Sequence, residues 1–174
     1  MQYTNSIYRG EWKKDNREGK GKLEWNKSRW TGHSYEGEFK DNLRHGRGIY
    51  KYNDGSIYDG EWKKDNKEGK GKLEYNNGDS YEGEWKDYLR HGLGIYKYNN
   101  GNIYNGQWNS GNKEGNGIMK YSYGVYNGEW KNDKRNGKGV FIQGNNIIEG
   151  TWKDNKRVIN SDNYQNNYSN NNNV

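Results

Sequence analysis

The sequence predicts an all-β fold, an elongated single-layer twisted antiparallel sheet, an open solenoid of consecutive β-hairpins. Three observations predict it. A Tyr-x-Gly-x-aromatic signature recurs along most of the chain, a Gly-x-Gly follows each copy at a fixed distance, and aromatic residues alternate with charged ones at a period of two. Alternation at period two is what a strand needs to bury one face and leave the other in water.

The signature begins at Tyr8, Tyr35, Tyr58, Tyr81, Tyr104 and Tyr126, and Ile148 opens a degenerate seventh copy; the intervals are 27, 23, 23, 23, 22 and 22 residues. Its aromatic third member (Trp12, Phe39, Trp62, Trp85, Trp108, Trp130) always stands seven residues before a Gly-x-Gly. The long first interval holds a four-residue insertion within 26–34, expected to be an enlarged surface loop. The array is therefore expected over 1–156. An Asn-rich segment without periodicity, 157–174, reads as a disordered tail.

Each copy reads as two strands. Tyr81, Gly83 and Trp85 share one face, and Glu82, Glu84 and Lys86 the other; Gly92, Gly94, Tyr96 and Tyr98 then continue the aromatic face. Parity fixes the link between copies. Setting Tyr50 opposite Tyr58 and Gly48 opposite Gly60 keeps the aromatic faces together and leaves a three-residue loop, Asn53-Asp54-Gly55, with glycine in the left-handed position. A two-residue turn would mix the faces. The same register places Lys72 opposite Glu82 and Lys70 opposite Glu84, an expected opposite-charge ladder worth roughly 0.2–1 kcal/mol per pair. It also places glycine opposite glycine, leaving a channel in which the rings lie. Some fourteen strands at ~4.8 Å give a ribbon on the order of 65 Å long with open edges at both ends.

Composition narrows the function classes. The chain of 174 residues has 28% hydrophobic residues, too few for an ordinary globule, yet its aromatics are concentrated on the repeating positions. It contains 26 Gly, no Pro and no Cys, which excludes a collagen-like chain, a disulfide framework and a cysteine metal site. The formal net charge of +6 includes no block of like charge resembling a nucleic-acid-binding tail. With no long apolar run, a cytoplasmic location is expected.

The Tyr-x-Gly-x-Trp, the Gly-x-Gly and the turn glycine at this spacing resemble the MORN (membrane occupation and recognition nexus) repeat from Tyr8 to about Trp152. Departures are Phe39 for Trp, a shorter turn before Tyr126 and Ile148 for Tyr. The resemblance implies a curved scaffold whose concave aromatic groove takes a partner's peptide. It also implies dimers or membrane-apposed assemblies in some relatives, and work at the cell cortex, in the cytoskeleton or at the inner membrane surface.

Catalytic chemistry is not legible. His45 and His91 are repeat copies, and no Cys accompanies them as a metal ligand. The Gly19-Lys20-Gly21-Lys22 and Gly69-Lys70-Gly71-Lys72 runs lack phosphate-loop spacing. The Glu82-Gly83-Glu84 pair recurs as Glu36-Gly37-Glu38 and, with Asp for the first Glu, as Asp59-Gly60-Glu61, on a strand face expected to be exposed, whereas a catalytic pair would be unique and sheltered. No enzyme, metal or cofactor is expected. The leading expectation is a scaffold binding an extended or helical protein segment along Tyr50, Tyr52, Tyr58, Tyr75, Tyr81, Tyr96, Tyr98 and Tyr104. A second is an adaptor for anionic membrane lipid through Lys13, Lys14, Arg17, Lys20 and Lys22 and their copies Lys63, Lys64, Lys67, Lys70 and Lys72, with a field weakened by Asp15, Glu18, Asp65 and Glu68. A third is a self-assembling element, for example a homodimer, using the open edges.

Overall fold

The computed structural model describes residues 6–27 and 29–159; the expected tail lies outside them from residue 160 onward. Fourteen strands form one sheet in sequence order. They are β1 (Ser6–Lys13), β2 (Asn16–Trp25), β3 (Ser34–Lys40), β4 (Leu43–Lys51), β5 (Ile57–Lys63), β6 (Asn66–Glu74), β7 (Ser80–Lys86), β8 (Leu89–Lys97), β9 (Ile103–Asn109), β10 (Asn112–Tyr121), β11 (Gly124–Lys131), β12 (Lys134–Gln143), β13 (Asn146–Lys153) and β14 (Lys156–Arg157). Every neighbouring pair is antiparallel, and β1 and β14 do not close on each other.

The expected register holds. Tyr50 faces Tyr58, Gly48 faces Gly60, and Lys72 and Lys70 face Glu82 and Glu84. The loop after Tyr52 closes through Tyr52 N to Ser56 O at 2.9 Å and Gly55 N to Tyr52 O at 3.1 Å, with Gly55 at φ +91°. Only glycine adopts that conformation without strain.

Within a repeat the turn is tighter. Asp87 and Tyr88 both have positive φ, at 48° and 67°, as do Lys64 and Asp65 at 49° and 69°. These are two-residue hairpin turns of the primed type, and their twist matches that of the flanking strands. Beyond the turn the second strand carries two extra residues, because Gly83 pairs with Gly94 while Glu84 pairs with His91. The bulge at Gly92 has φ +56°.

The Glu before each Trp closes this bulge. Glu84 Oε1 accepts from Leu93 N at 3.0 Å, Glu61 from Lys70 N at 3.1 Å, and Gln107 does the same for Asn116 N at 2.6 Å. The expected charge ladder is corrected here. Register alone would pair Lys70 with Glu84, but the backbone N–H of the bulge takes the carboxylate, and Lys72 pairs with Glu74 on its own strand.

The aromatic face is a single core cluster that runs from Leu23 to Trp152. Each signature Tyr lies across the glycine pair of its own hairpin: a Cβ on Gly94 would collide with the ring and hydroxyl of Tyr81. The hydroxyl donates to the carbonyl of the Glu three residues on, at 2.9 Å for Tyr81 to Glu84. Trp62, Trp85, Trp108 and Trp130 each wedge edge-to-face between their own Tyr and that of the preceding repeat, as Trp108 does at 5.1 Å from Tyr104 and 5.3 Å from Tyr81. Such pairs contribute ~0.5–1.5 kcal/mol beyond area burial. The indole then donates backward, Trp62 to Gly48 O at 3.0 Å and Trp108 to Gly94 O at 3.1 Å. These contacts join hairpins that would not be stable alone.

The insertion does more than enlarge a loop. It folds back through Trp25 N to His33 O at 3.2 Å and buries His33 against Tyr50, whose hydroxyl is 2.9 Å from His33 Nδ1.

Candidate functional site: the two faces of the sheet

A column of cations covers the aromatic face. Arg44 lies 4.4 Å from the Trp62 ring centroid, Arg90 4.4 Å from Trp108, and Arg135 4.4 Å from Trp152. Lys67 stands 4.7 Å from Trp85 and Lys113 5.1 Å from Trp130. Arg17 occupies the same position over Phe39, at 5.4 Å. Each cation starts at the turn of one hairpin and reaches the Trp or Phe of the next. The arginines also donate to a carbonyl of the next turn, Arg44 Nη2 to Asp65 O at 3.1 Å and Arg90 Nη2 to Gly111 O at 2.6 Å. Lysine is too short for that bond. Lys113 Nζ donates instead to Tyr98 Oη at 3.1 Å. Lys67 lies among the rings of Tyr58, Trp85 and Tyr52, where burial, with a smaller contribution from Arg44, pushes its pKa down to about 8.

This arrangement divides the expected groove residues. Tyr58, Tyr81 and Tyr104 have no exposed surface, and Tyr50 and Tyr96 keep only 5% and 8%. These five are corrected from lining residues to core. Their rings fill the space over the glycines, and burial raises the pKa of the Tyr58, Tyr81 and Tyr104 phenols well above the ordinary value. Tyr52, Tyr75 and Tyr98 form a half-buried row at the margin of the same face. Away from that row, a cleft of about 250 Å³ lies near the first hairpins, among Arg17, Trp25, Phe39, Arg44 and Asp65.

The expected lipid-binding residues fall in three places. Lys13, Lys14, Lys63 and Lys64 are exposed along the turn edge, beside Asp15 and Asp65. Lys20, Lys22, Lys70 and Lys72 stand on the polar face. Arg17 and Lys67 belong to the aromatic face, Lys67 with only 5% exposure. The correction follows from strand parity: residues an odd number apart point to opposite faces, so one loop's cations do not share a surface.

The polar face carries the open track. One trough of about 580 Å³ is lined by residues including Arg9, Lys20, Lys22, Glu36, Glu38, Arg47 and Ile49. A second, of about 680 Å³, is lined by Arg47, Asp59, Lys70, Lys72, Glu82, Glu84, Leu93, Ile95 and Asn105 over the backbone of Gly71, Gly83 and Gly94. They meet at Arg47 and run between the same two side-chain rows. One row passes through Lys22, Glu36, Ile49, Asp59, Lys72, Glu82 and Ile95, and the other through Lys20 and Glu38, Arg47, Lys70 and Glu84, and Leu93. The track begins charged at β1, passes exposed Leu93 and Ile95 on β8 and ends at Asn105 on β9. Among the described residues no group of three His, Cys, Asp or Glu is placed to hold a metal ion.

Sequence reasoning missed the cation column and the Glu closure of the bulge, although both had a signal. A cation stands five residues after each signature aromatic, from Trp12 and Arg17 to Trp152 and Arg157. Glu or Gln precedes the aromatic in the first six copies.

The architecture defines a β-hairpin repeat protein whose hairpins interlock through Tyr, Trp, glycine and a cation. The MORN repeat profile matches residues 8–28, 35–57, 58–80, 81–103, 104–124, 126–146 and 149–158, and the chain belongs to the MORN repeat family. Comparison with curated proteins gave no match. Among solved structures, the chain is similar to the TCP domain of SAS-4 (dCPAP) of Drosophila melanogaster, solved in complex with a proline-rich motif of Ana2 (dSTIL). The identity is 15% and the TM-score 0.43, covering 87% of this chain and 93% of that one.

Proposed function

We propose that the protein is a non-enzymatic scaffold that holds an extended segment of a protein partner along the polar-face track. The observation that carries this reading is the continuity of the two troughs through Arg47, with side-chain rows on both sides. From β1 to β9 the track spans roughly 40 Å at ~4.8 Å per strand, room for about a dozen extended residues. Its walls alternate Lys or Arg with Glu or Asp, so a segment carrying both signs is accommodated, and Leu93 and Ile95 offer apolar contact at one end. The aromatic face supplies rigidity by comparison, since its rings are already filled and capped.

The test is site-specific photo-crosslinking from position 95 on the polar face and, separately, position 98 on the aromatic margin, followed by titration of the identified segment. Crosslinking from position 95, with Leu93→Glu/Ile95→Glu weakening binding at least about tenfold and Tyr98→Phe leaving it intact, supports the reading. Crosslinking confined to position 98 refutes it and returns binding to the Tyr52, Tyr75 and Tyr98 row.

A further inference from the structure

We infer that the polar face from β8 to β12 seats an amphipathic helix of a protein partner, one with an aliphatic stripe and acidic residues along one flank. This surface shares only Ile95 and Asn105 with the track, and the inference goes beyond the proposed extended segment.

Strand register carries it. The side-chain row that is charged from β1 changes character at β8, where it continues as Ile95, Asn105, Ile118, Asn127 and Val140. The next row on the same face, two residues away on each strand and ~6.8 Å distant, reads Lys97, Ile103, Lys120, Val125 and Ile142. Aliphatic side chains therefore alternate between the two rows from strand to strand until β12, which places one in each. Ile95, Ile118 and Ile142 are 36%, 37% and 42% exposed, and Ile103, Val125 and Val140 are half-buried. Over β8 to β12 neither row holds an acid, whereas over β1 to β7 they hold Glu24, Glu36, Asp59, Glu74 and Glu82.

The alternation selects the occupant. A zigzag that advances one strand per step, ~4.8 Å, matches the zigzag of a and d positions on a helix laid across the strands, which advances ~5.2 Å per step. Four steps, ~19 Å, take about thirteen helical residues, close to two heptads. An extended segment sets its same-face side chains ~6.8 Å apart in a single line and does not match. Lys97 and Lys120 flank one side of the stripe with no acid beside them in either row, so the facing flank of the helix is acidic. The aliphatic side chains stand between Lys and Asn on the flat of a sheet and not at a protruding tip, which favours the side-chain rows of a helix over the hydrocarbon of a bilayer.

Fluorescence anisotropy of the whole chain with a labelled three-heptad peptide tests this. The peptide carries leucine at a and d and glutamate at e; a second peptide has lysine at e, and a third is scrambled. The expected result is saturable binding of the glutamate peptide, at least about tenfold tighter than of the other two, and a loss of at least about tenfold in Ile118→Asp/Ile142→Asp. Lys97→Glu/Lys120→Glu should reverse the preference between the glutamate and lysine peptides, with circular dichroism verifying that each chain folds. Lys22→Glu/Arg47→Glu, which alters the track alone, should bind the glutamate peptide as wild type does, so that failure of the track and failure of the helix seat are told apart. No saturable binding, equal affinity for the glutamate and lysine peptides, or binding unaffected by the aspartate pair would each overturn the inference. So would a photo-crosslinker at position 142 that, without peptide, joins two copies or two parts of one chain, or flotation with phosphatidylserine vesicles that the aspartate pair abolishes.

Discussion

Lys67 makes a sharp test of the cation column. Its Nζ lies 4.6, 4.7 and 5.3 Å from the ring centroids of Tyr58, Trp85 and Tyr52, and its surface is 5% exposed. Burial lowers its pKa from 10.5 to about 8. The unfolded chain therefore binds this proton more tightly than the folded chain, and stability rises with pH between about 8 and 10. Below pH 8 the full penalty is present, ~3 kcal/mol at 1.36 kcal/mol per pKa unit. Attraction to the three rings offsets about 1–2 kcal/mol of it. Lys67→Met keeps the length of the side chain and removes the charge, so it should stabilise the protein at pH 7 by about 1–2 kcal/mol. Lys113, also lowered by burial, retains its own pH dependence in the variant. Urea denaturation followed by tryptophan fluorescence at pH 7 and 9 measures the effect. The variant's advantage should shrink at pH 9, where wild-type Lys67 is largely neutral. A variant less stable than wild type at pH 7, or an advantage equal at both pH values, would refute the reasoning.

Three further outcomes follow from the same contacts. Gly94→Ala puts a methyl group against the Tyr81 ring and hydroxyl, and should lower stability by more than about 2 kcal/mol in the same denaturation assay. Trp85→Phe removes the indole donor that reaches Gly71 O at 3.0 Å; a loss of about 1–2 kcal/mol is expected, and an unchanged midpoint would show that the bond contributes nothing. Tyr88→Asn replaces a bulky residue at φ +67° with one that tolerates the left-handed region. It also supplies the amide oxygen that Asn42 offers to Arg17 N at 2.8 Å, and a rise in thermal midpoint corresponding to about 1 kcal/mol is expected.

The residues explain why some features were legible and others not. The register of Tyr50 with Tyr58 followed from parity, because shifting a strand by one residue would expose every ring, and the structure reproduces that register. The primed turns were not legible, because their pairs, Asp87-Tyr88 and Lys64-Asp65, lack the glycine that usually announces positive φ. Asn and Asp tolerate that region, and stacking between turns supports them: Asp65 N donates to Arg44 O at 3.0 Å, and Asp65 Oδ1 accepts from Arg44 N at 2.9 Å. The open track was also hidden. Alternation identifies the two faces of a strand, but not which face its neighbours leave uncovered.

The sequence by itself determined the repeat, the all-β class, the pairing of glycine with glycine and the membership of each residue in one face, because period-two geometry and turn length leave little choice. Tertiary structure alone decided what each face does. Arg44 reaches Trp62, eighteen residues away, only because consecutive hairpins stack, and that contact helps convert an apparent aromatic groove into a filled core. The Glu and Lys rows that read as an exposed ladder become the walls of the track for the same reason: the bulge draws Glu84 onto the backbone, and the two rows stay apart over the glycines.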